Sequence, residues 1–189
     1  MDHSTRPPRS FDPGFAEAIV LDAWLQREIV ARRGANTAPA LADRSEGLAL
    51  ERLAVVLAAS PQVAGFRTCL GWARAFLDPE ETALPIDAKG CELPDHILRR
   101  GAPPPGAESA RVEVTLPAAD TLVLFEFLCR EIDEQDGARL LAAFVSPAEF
   151  WALNNLQCVL ETGEFYSALE DYGTQLEAAR ATLVASKAL

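Results

Sequence analysis

The chain has 189 residues, of which 49% are apolar and 24% charged, and its formal net charge is −11. This composition is typical of one well-packed globular domain, and the abundance of Ala and Leu over aromatic residues favours a mainly helical fold. The acidic balance argues against a general nucleic-acid binder and against docking on anionic lipid, so we expect no direct nucleic-acid or membrane partner.

The N-terminal part of the sequence predicts a tail followed by helices. Residues 1–12 are polar and proline-rich, and we predict that they form a disordered tail. Asp12 is typical of a helix cap, and helical spacing of apolar residues continues from there to Gly34. Two more helical patterns follow, with Pro61 between them. Residues 13–78 are therefore predicted to form an N-terminal helical layer.

Residues 79–110 have a different composition, because prolines recur along them and three prolines stand side by side near the end of the stretch. Such a stretch favours extended backbone, and we predict a long connector. It contains a small group of metal-binding residue types, but their spacing matches no strong zinc pattern. We favour an ordinary loop and expect no metal and no cofactor, although this group is the one candidate cluster: Cys91, Glu92, Asp95 and His96.

Residues 111–189 are predicted to form a strand followed by a C-terminal helical unit. Val112, Val114 and Leu116 alternate with polar residues, which indicates a strand with one buried face. A single strand needs a partner. Two partners remain open, namely part of the connector or the same strand of a second copy of the chain.

Two helices in this unit have clear sequence signals. Pro117 opens a helix that runs to about Asp133, and its apolar residues cover more than half of its circumference, which indicates a central core helix. Ser146, Pro147 and Glu149 then have the order of an N-cap, a first-turn proline and a capping-box acid. That second helix is predicted to end at Gly163.

The last helix has apolar residues at alternating spacings of four and three. This pattern favours a helix packed on its neighbours, and the alternative is a short dimer seam. Its residues are Phe165, Leu169, Tyr172, Leu176, Ala179 and Leu183. The predicted fold is thus mainly α, with six to seven helices around one core and one short strand or two-stranded ribbon. Residues 13–189 are expected to form one compact domain.

No catalytic motif is evident. The sequence lacks a nucleophile elbow, a phosphate-binding P-loop and a dinucleotide fingerprint. Cys129 and Cys158 lie in apolar helical patterns without a nearby histidine, so we expect no catalytic cysteine. With no secretory signal at the N-terminus, we expect a cytoplasmic protein with reduced thiols.

The acidic residues are concentrated in residues 111–189, which contain 13 acidic and 5 basic side chains. Glu126, Arg130 and Glu134 are four residues apart and would form a ladder along one helix face. A solvated face is the simpler interpretation, and a recognition patch for a basic protein is the functional one. The candidate partner-binding acids are Glu126, Glu131, Asp133, Glu134 and Asp136.

Two adjacent asparagines, Asn154 and Asn155, interrupt the apolar pattern of the predicted Pro147 helix beside Trp151. One is expected to be buried and to bind a neighbouring backbone group, and the other to contact a partner. A Trp beside an Asn pair is typical of an interface hot spot, although core packing is the preferred interpretation for Trp151.

A resemblance covers residues 112–161. The alternating Val strand, the run from Leu122 to Leu128 and the segment from Glu149 to Leu153, with Leu160 and Glu161, resemble a set of short uncharacterised bacterial proteins. Those proteins have a strand, a helix and a second helix in this order, and the resemblance implies a bacterial origin and a small helical module. Some small acidic proteins of this type look like immunity or antitoxin partners. The first 110 residues and the long final helix have no counterpart.

From these observations we predict a non-enzymatic acidic module that binds a basic protein, with an immunity protein or an antitoxin as its concrete form. The first alternative is a structural or regulatory protein that forms a homodimer or larger assembly through its last helix or its single strand. An unrecognised enzyme is the second alternative.

Overall fold

The structure is a computed structural model, and the residues that it describes are 7–34, 44–77, 104–105, 110–134, 140, 144–162 and 171–186. For residues 30–34, 134 and 162 it describes the backbone alone. Within these ranges the chain is mainly helical with a two-stranded sheet, which confirms the predicted fold class. The helices are α1 (Phe15–Gly34), α2 (Arg44–Ala59), α3 (Pro61–Phe66), α4 (Leu70–Leu77), α5 (Ala118–Leu128), α6 (Pro147–Thr162) and α7 (Tyr172–Ser186). The strands are β1 (Arg9–Phe11) and β2 (Val114–Leu116).

The two strands form an antiparallel ribbon in which Phe11 lies opposite Val114. The hydroxyl groups of Ser10 and Thr115 share a hydrogen bond of 2.7 Å. Two predictions are therefore wrong: residues 9–11 are not part of a disordered tail, and β2 pairs with them rather than with the connector or a second copy. The inner face of β2 is fully buried, and Phe11 packs against the edge of the same core. Three residues are too few to show strand alternation in a sequence.

Helix α1 begins two residues later than predicted because the backbone turns at Gly14. Asp12 Oδ1 accepts a hydrogen bond of 3.0 Å from the amide of Gly14. The φ angle of Gly14 is +88°, and a Cβ atom there would lie 2.3 Å from a carboxylate oxygen of Glu17. The positive φ angle therefore favours glycine at this position, and the turn leads directly into the first turn of α1.

Residues 61–77 form two helices instead of the single predicted one. Ser60 Oγ accepts a bond of 3.4 Å from the amide of Val63 and caps α3, with Pro61 in the first turn as predicted. α3 ends at Phe66, and a 3-10 turn over Arg67–Cys69 leads into α4. The break lets Arg67 reach α1, where its Nε lies 2.8 Å from Asp22 Oδ2.

One apolar core includes residues from both ends of the chain. Leu21 and Trp24 of α1 are as fully buried as Phe127 of α5 and Leu153 of α6. α5 packs against α2, α6 and α7, which confirms the prediction of a central core helix. Apart from residues 104–105 and 110, the connector predicted over 79–110 lies outside the described residues, and its boundaries stay a prediction.

Helix α7 packs its predicted seam against its own chain. Leu176, Ala179 and Leu183 are buried, and the helix contacts α5 and α2. For the described residues, this packing confirms the preferred interpretation of the heptad pattern, a helix packed on its neighbours. Phe165 and Leu169, which begin the pattern, lie outside the described residues.

Five buried carboxylates in the described part of the chain each bind an arginine. A buried charge needs such a partner because its desolvation is otherwise too costly. The pairs involve most of the described arginines, and all except Glu131–Arg130 join different elements. They are Asp22–Arg67, Glu46–Arg130, Asp120–Arg52, Glu131–Arg130 and Glu149–Arg27, with Arg74 as a second partner of Glu149.

Candidate functional site

The start of α6 has the predicted cap. Ser146 Oγ accepts a hydrogen bond of 3.2 Å from the amide of Ala148, and Glu149 Oε2 accepts one of 3.1 Å from the amide of Val145. A capping-box acid usually binds the N-cap amide, whereas here it binds the amide one residue earlier. The cap therefore also fixes the backbone that leads into α6.

Glu149 also joins α6 to α1 and α4. The two terminal nitrogens of Arg27 donate to its two carboxylate oxygens at 2.8 and 2.6 Å, and Arg74 Nη2 lies 3.1 Å from Oε1. The hydrogen bond to Glu149 raises the pKa of Arg27. With the carboxylate fully buried, this bidentate contact sets the orientation of α6 and hence of its outer face.

The outer face of α6 begins with exposed apolar side chains. Trp151 is 49% exposed and Val145 is 60% exposed, so the core packing preferred for Trp151 is wrong. The Trp151 ring packs edge-on against Phe150 with centroids 5.6 Å apart. A surface groove of about 310 Å³ opens here, lined by residues 144–147 together with Phe150 and Trp151. We call this groove and Trp151 the apolar end.

The asparagine pair lies one turn further along α6. Asn155 is exposed, and its Nδ2 donates a hydrogen bond of 2.7 Å to Glu17 Oε1 of α1. Asn154 is half-buried. Burial raises the pKa of Glu17, and hydrogen bonds from its own backbone amide and from Asn155 act in the opposite direction. Asn155, the exposed member of the pair, thus binds a side chain of its own chain, and the predicted backbone and partner contacts of the pair stay predictions.

Near the C-terminal end of α6, acidic side chains surround Cys129. Gln157 Nε2 donates to Asp133 Oδ2 at 2.6 Å and lies 3.7 Å from Cys129 Sγ. Burial and then the charges of Asp133, Glu126 and Glu161 raise the pKa of Cys129 to about 11. Each of these three carboxylates thus acts on the Cys129 thiol, and we call them the acidic end.

Glu126 is held in place by α7. The Tyr172 hydroxyl donates a hydrogen bond of 2.6 Å to Glu126 Oε2. Burial raises the pKa of Tyr172, and the contact with Glu126 raises it further because a phenolate there would face a carboxylate. The phenol therefore stays protonated and remains a donor at neutral pH.

The predicted acidic face needs a correction at Glu131. Glu131 is fully buried and accepts a bond of 2.9 Å from Arg130 Nη2, so it does not contribute to a docking surface. Arg130 also reaches α2, where its Nη2 lies 3.0 Å from Glu46 Oε2. Residues Cys129–Glu134 form a π-helical turn, whose winding is wider than that of the α-helix predicted to continue to about Asp133. The Glu134 side chain and all of Asp136 lie outside the described residues.

Glu161 is a site residue that the sequence reasoning missed. It is exposed and lies four residues after Gln157, so the two share one face of α6. That spacing was readable in the sequence. Its effect on Cys129 was not, because the two residues are far apart in the chain and come near each other through the packing of α5 against α6.

The described ranges contain neither a metal-binding cluster nor a single membrane-spanning helix. No group of three or more His, Cys, Asp and Glu side chains there is placed to hold a metal ion. The predicted metal candidates all lie outside these ranges: Cys91, Glu92, Asp95 and His96. No single described helix is both long and apolar enough to cross a membrane, and a pair bent by 70°, Arg44–Ala59 with Pro61–Leu77, reaches that length and composition jointly.

No protein-family model matches the chain, and neither the curated proteins nor the solved structures include a significant match to it.

Proposed function

We propose that the chain is a non-enzymatic acidic module that binds a basic protein and masks part of its surface, as immunity proteins and antitoxins do. The observation that carries the proposal is the distribution of charge between interior and surface. Six arginines of the described residues pair with buried carboxylates, namely the five named above and Arg180, whose Nη2 lies 4.0 Å from Glu46 Oε1. Much of their charge is therefore offset by internal acids. Within the described ranges, the surface acids have no comparable set of arginines around them.

Exposed side chains in the described ranges show this imbalance. Outside the buried ion pairs, the exposed arginines are Arg44 and Arg111. The exposed acids are Asp12, Glu113, Asp133, Glu161, Asp171 and Glu177. A surface with this excess attracts a basic partner over a distance of about 10 Å at low salt and repels acidic ones.

Self-assembly is less well supported by the described residues. The part of the heptad seam in α7 is buried against α5 and α2, and β2 pairs with β1 of the same chain. Both of the surfaces that this alternative requires are therefore engaged, at least in part, inside the protomer.

The experiment is recovery of a partner followed by a binding measurement. The tagged full chain is used to capture proteins from its host at low salt, the retained protein is purified, and its affinity for the chain is measured by calorimetry at several salt concentrations. We expect a basic partner whose Kd rises at least about tenfold between about 50 and about 500 mM salt. An acidic partner, or an affinity that does not change with salt, would contradict the proposal.

A further inference from the structure

We propose that the outer face of α6 is the docking surface, and that it receives an amphipathic helix of the basic partner. An apolar side chain of that helix enters the groove at the apolar end, and a Lys or Arg side chain binds at the acidic end. This inference rests on the proposed function and adds the place and the chemistry of the contact.

The apolar end has the properties of an interface anchor. Trp151 and Val145 are both about half or more exposed and lie beside the same groove. The groove is lined mainly by apolar side chains and is large enough for one or two side chains of a partner. Exposed Trp is the residue type most enriched among side chains that dominate binding energy. The cap and the arginine contacts of Glu149 hold this segment in place before binding, which lowers the entropy lost on docking.

The acidic end supplies charge and an unsatisfied acceptor. Glu161 and Asp133 are exposed, and Gln157, which binds Asp133, is only 6% exposed. Gln157 Oε1 is buried and has no hydrogen-bond donor within the described part of the chain. Its amide nitrogen is bound to Asp133 and Cys129, so the oxygen lies at the same cluster. An unsatisfied buried acceptor beside carboxylates favours a donor that is also a cation.

The spacing of the two ends fits a helix. Trp151 and Glu161 are ten residues apart on α6, which corresponds to about 15 Å along the axis. A partner helix laid along α6 would place an apolar residue and a basic residue about ten or eleven positions apart on one face. Recognition of a helix in a groove uses this kind of repeated anchor on one face.

A second copy of the chain is a poorer occupant of this face. Each copy has a net charge of −11, so pairing two such faces would bring like charges together. Charge complementarity therefore favours a basic partner.

The test uses a synthetic amphipathic helical peptide with one Leu pair and two Arg residues about ten positions further on, and a control peptide with Glu in place of Arg. Binding to the ¹⁵N-labelled full chain is followed by NMR. We expect shifts at the Trp151 indole, Val145 and Glu161, and weaker or no binding of the control peptide. Trp151→Ala should weaken binding at least about tenfold, and Glu161→Lys several-fold with a smaller salt dependence.

Two exposed residues elsewhere provide matched controls. Val55→Ala removes an apolar side chain that is 67% exposed on α2, and Glu113→Lys changes the net charge by the same amount as Glu161→Lys. Both should bind the peptide like the unmodified chain. Shifts that map away from α6, the absence of peptide binding, or equal losses in all four variants would overturn the inference.

Two further measurements distinguish a failure of this inference from a failure of the proposed function: sedimentation of the chain alone, and binding of the captured partner to the variants. If the chain forms a dimer that Trp151→Ala dissociates, the face belongs to a second copy and the inference fails. If the captured basic protein binds Trp151→Ala and Glu161→Lys at full strength in a salt-sensitive manner, the inference fails and the proposed function stands. Failure to recover any basic partner contradicts the proposed function itself.

Discussion

At the scale of single residues, the sequence does not reveal which charges are internal. Glu131 and Glu149 are acids in amphipathic stretches, and one was assigned to a docking face and the other to a cap. Both are buried and bind arginines. Helical periodicity assumes that polar residues face water. It therefore does not predict a carboxylate buried against an arginine, whether that arginine is adjacent, as Arg130 is to Glu131, or distant, as Arg27 is from Glu149.

Glu149→Gln tests how much one such buried ion pair contributes to the free energy of unfolding. The neutral amide leaves Arg27 and Arg74 without their carboxylate in a buried setting, and we expect the free energy of unfolding to fall by about 2–4 kcal/mol. Urea denaturation followed by circular dichroism measures it. Glu161→Gln on the exposed face of the same helix is the control and should change stability by less than about 0.5 kcal/mol. Similar values for the two variants would contradict the internal role of Glu149.

The raised pKa of the Cys129 thiol can be tested through the pH dependence of stability and through the reactivity of the thiol. Its pKa in the folded chain is raised from 9.0 to about 11, so the folded state holds the proton more tightly than the unfolded state. The contribution to stability is complete below about pH 9 and is lost as the pH rises towards 11. At pH 8 we expect iodoacetamide to alkylate exposed Cys158 faster than Cys129, as measured by peptide mass spectrometry. Equal rates would show that the acidic end does not surround Cys129.

At the scale of elements, long periodic helices were predictable and short or irregular ones were not. Periodicity and caps place α1, α2, α5 and α6 within a few residues of their observed bounds. The π-helical turn after Leu128 was missed because it continues the apolar pattern while changing the spacing. The break after Phe66 follows Gly65, whose low helix propensity was the available signal.

Phe11→Ala tests the strand that replaced part of the predicted tail. Phe11 packs on the edge of the core and lies opposite Val114, so its loss should lower the free energy of unfolding by about 1–2 kcal/mol. Thermal unfolding should then shift by about 2–8 °C for a chain of this size. Glu113→Ala, at an exposed position just before β2, is the control. An unchanged melting temperature for Phe11→Ala would mean that residues 9–11 do not stabilise the fold.

At the scale of the whole molecule, composition correctly indicated the helical class, and the acidic balance is the basis on which a basic partner is proposed. The location of the candidate site was not predictable in the same way. Two of its acids, Glu126 and Asp133, were among the predicted residues, whereas Trp151 was assigned to the core and Glu161 to no site. Exposure of a large aromatic side chain depends on which helix covers it, and that is a property of tertiary packing rather than of local pattern.

The central claim is that charge at the end of α6 binds a basic protein, and one comparison tests it most directly. The Kd of the captured basic partner is measured for Glu161→Lys and for Glu113→Lys, two exposed acids whose replacement changes the net charge equally. We predict that Glu161→Lys weakens binding by about tenfold at low salt and by less at high salt, whereas Glu113→Lys has little effect. Equal effects of the two variants, or no effect of either, would contradict the claim.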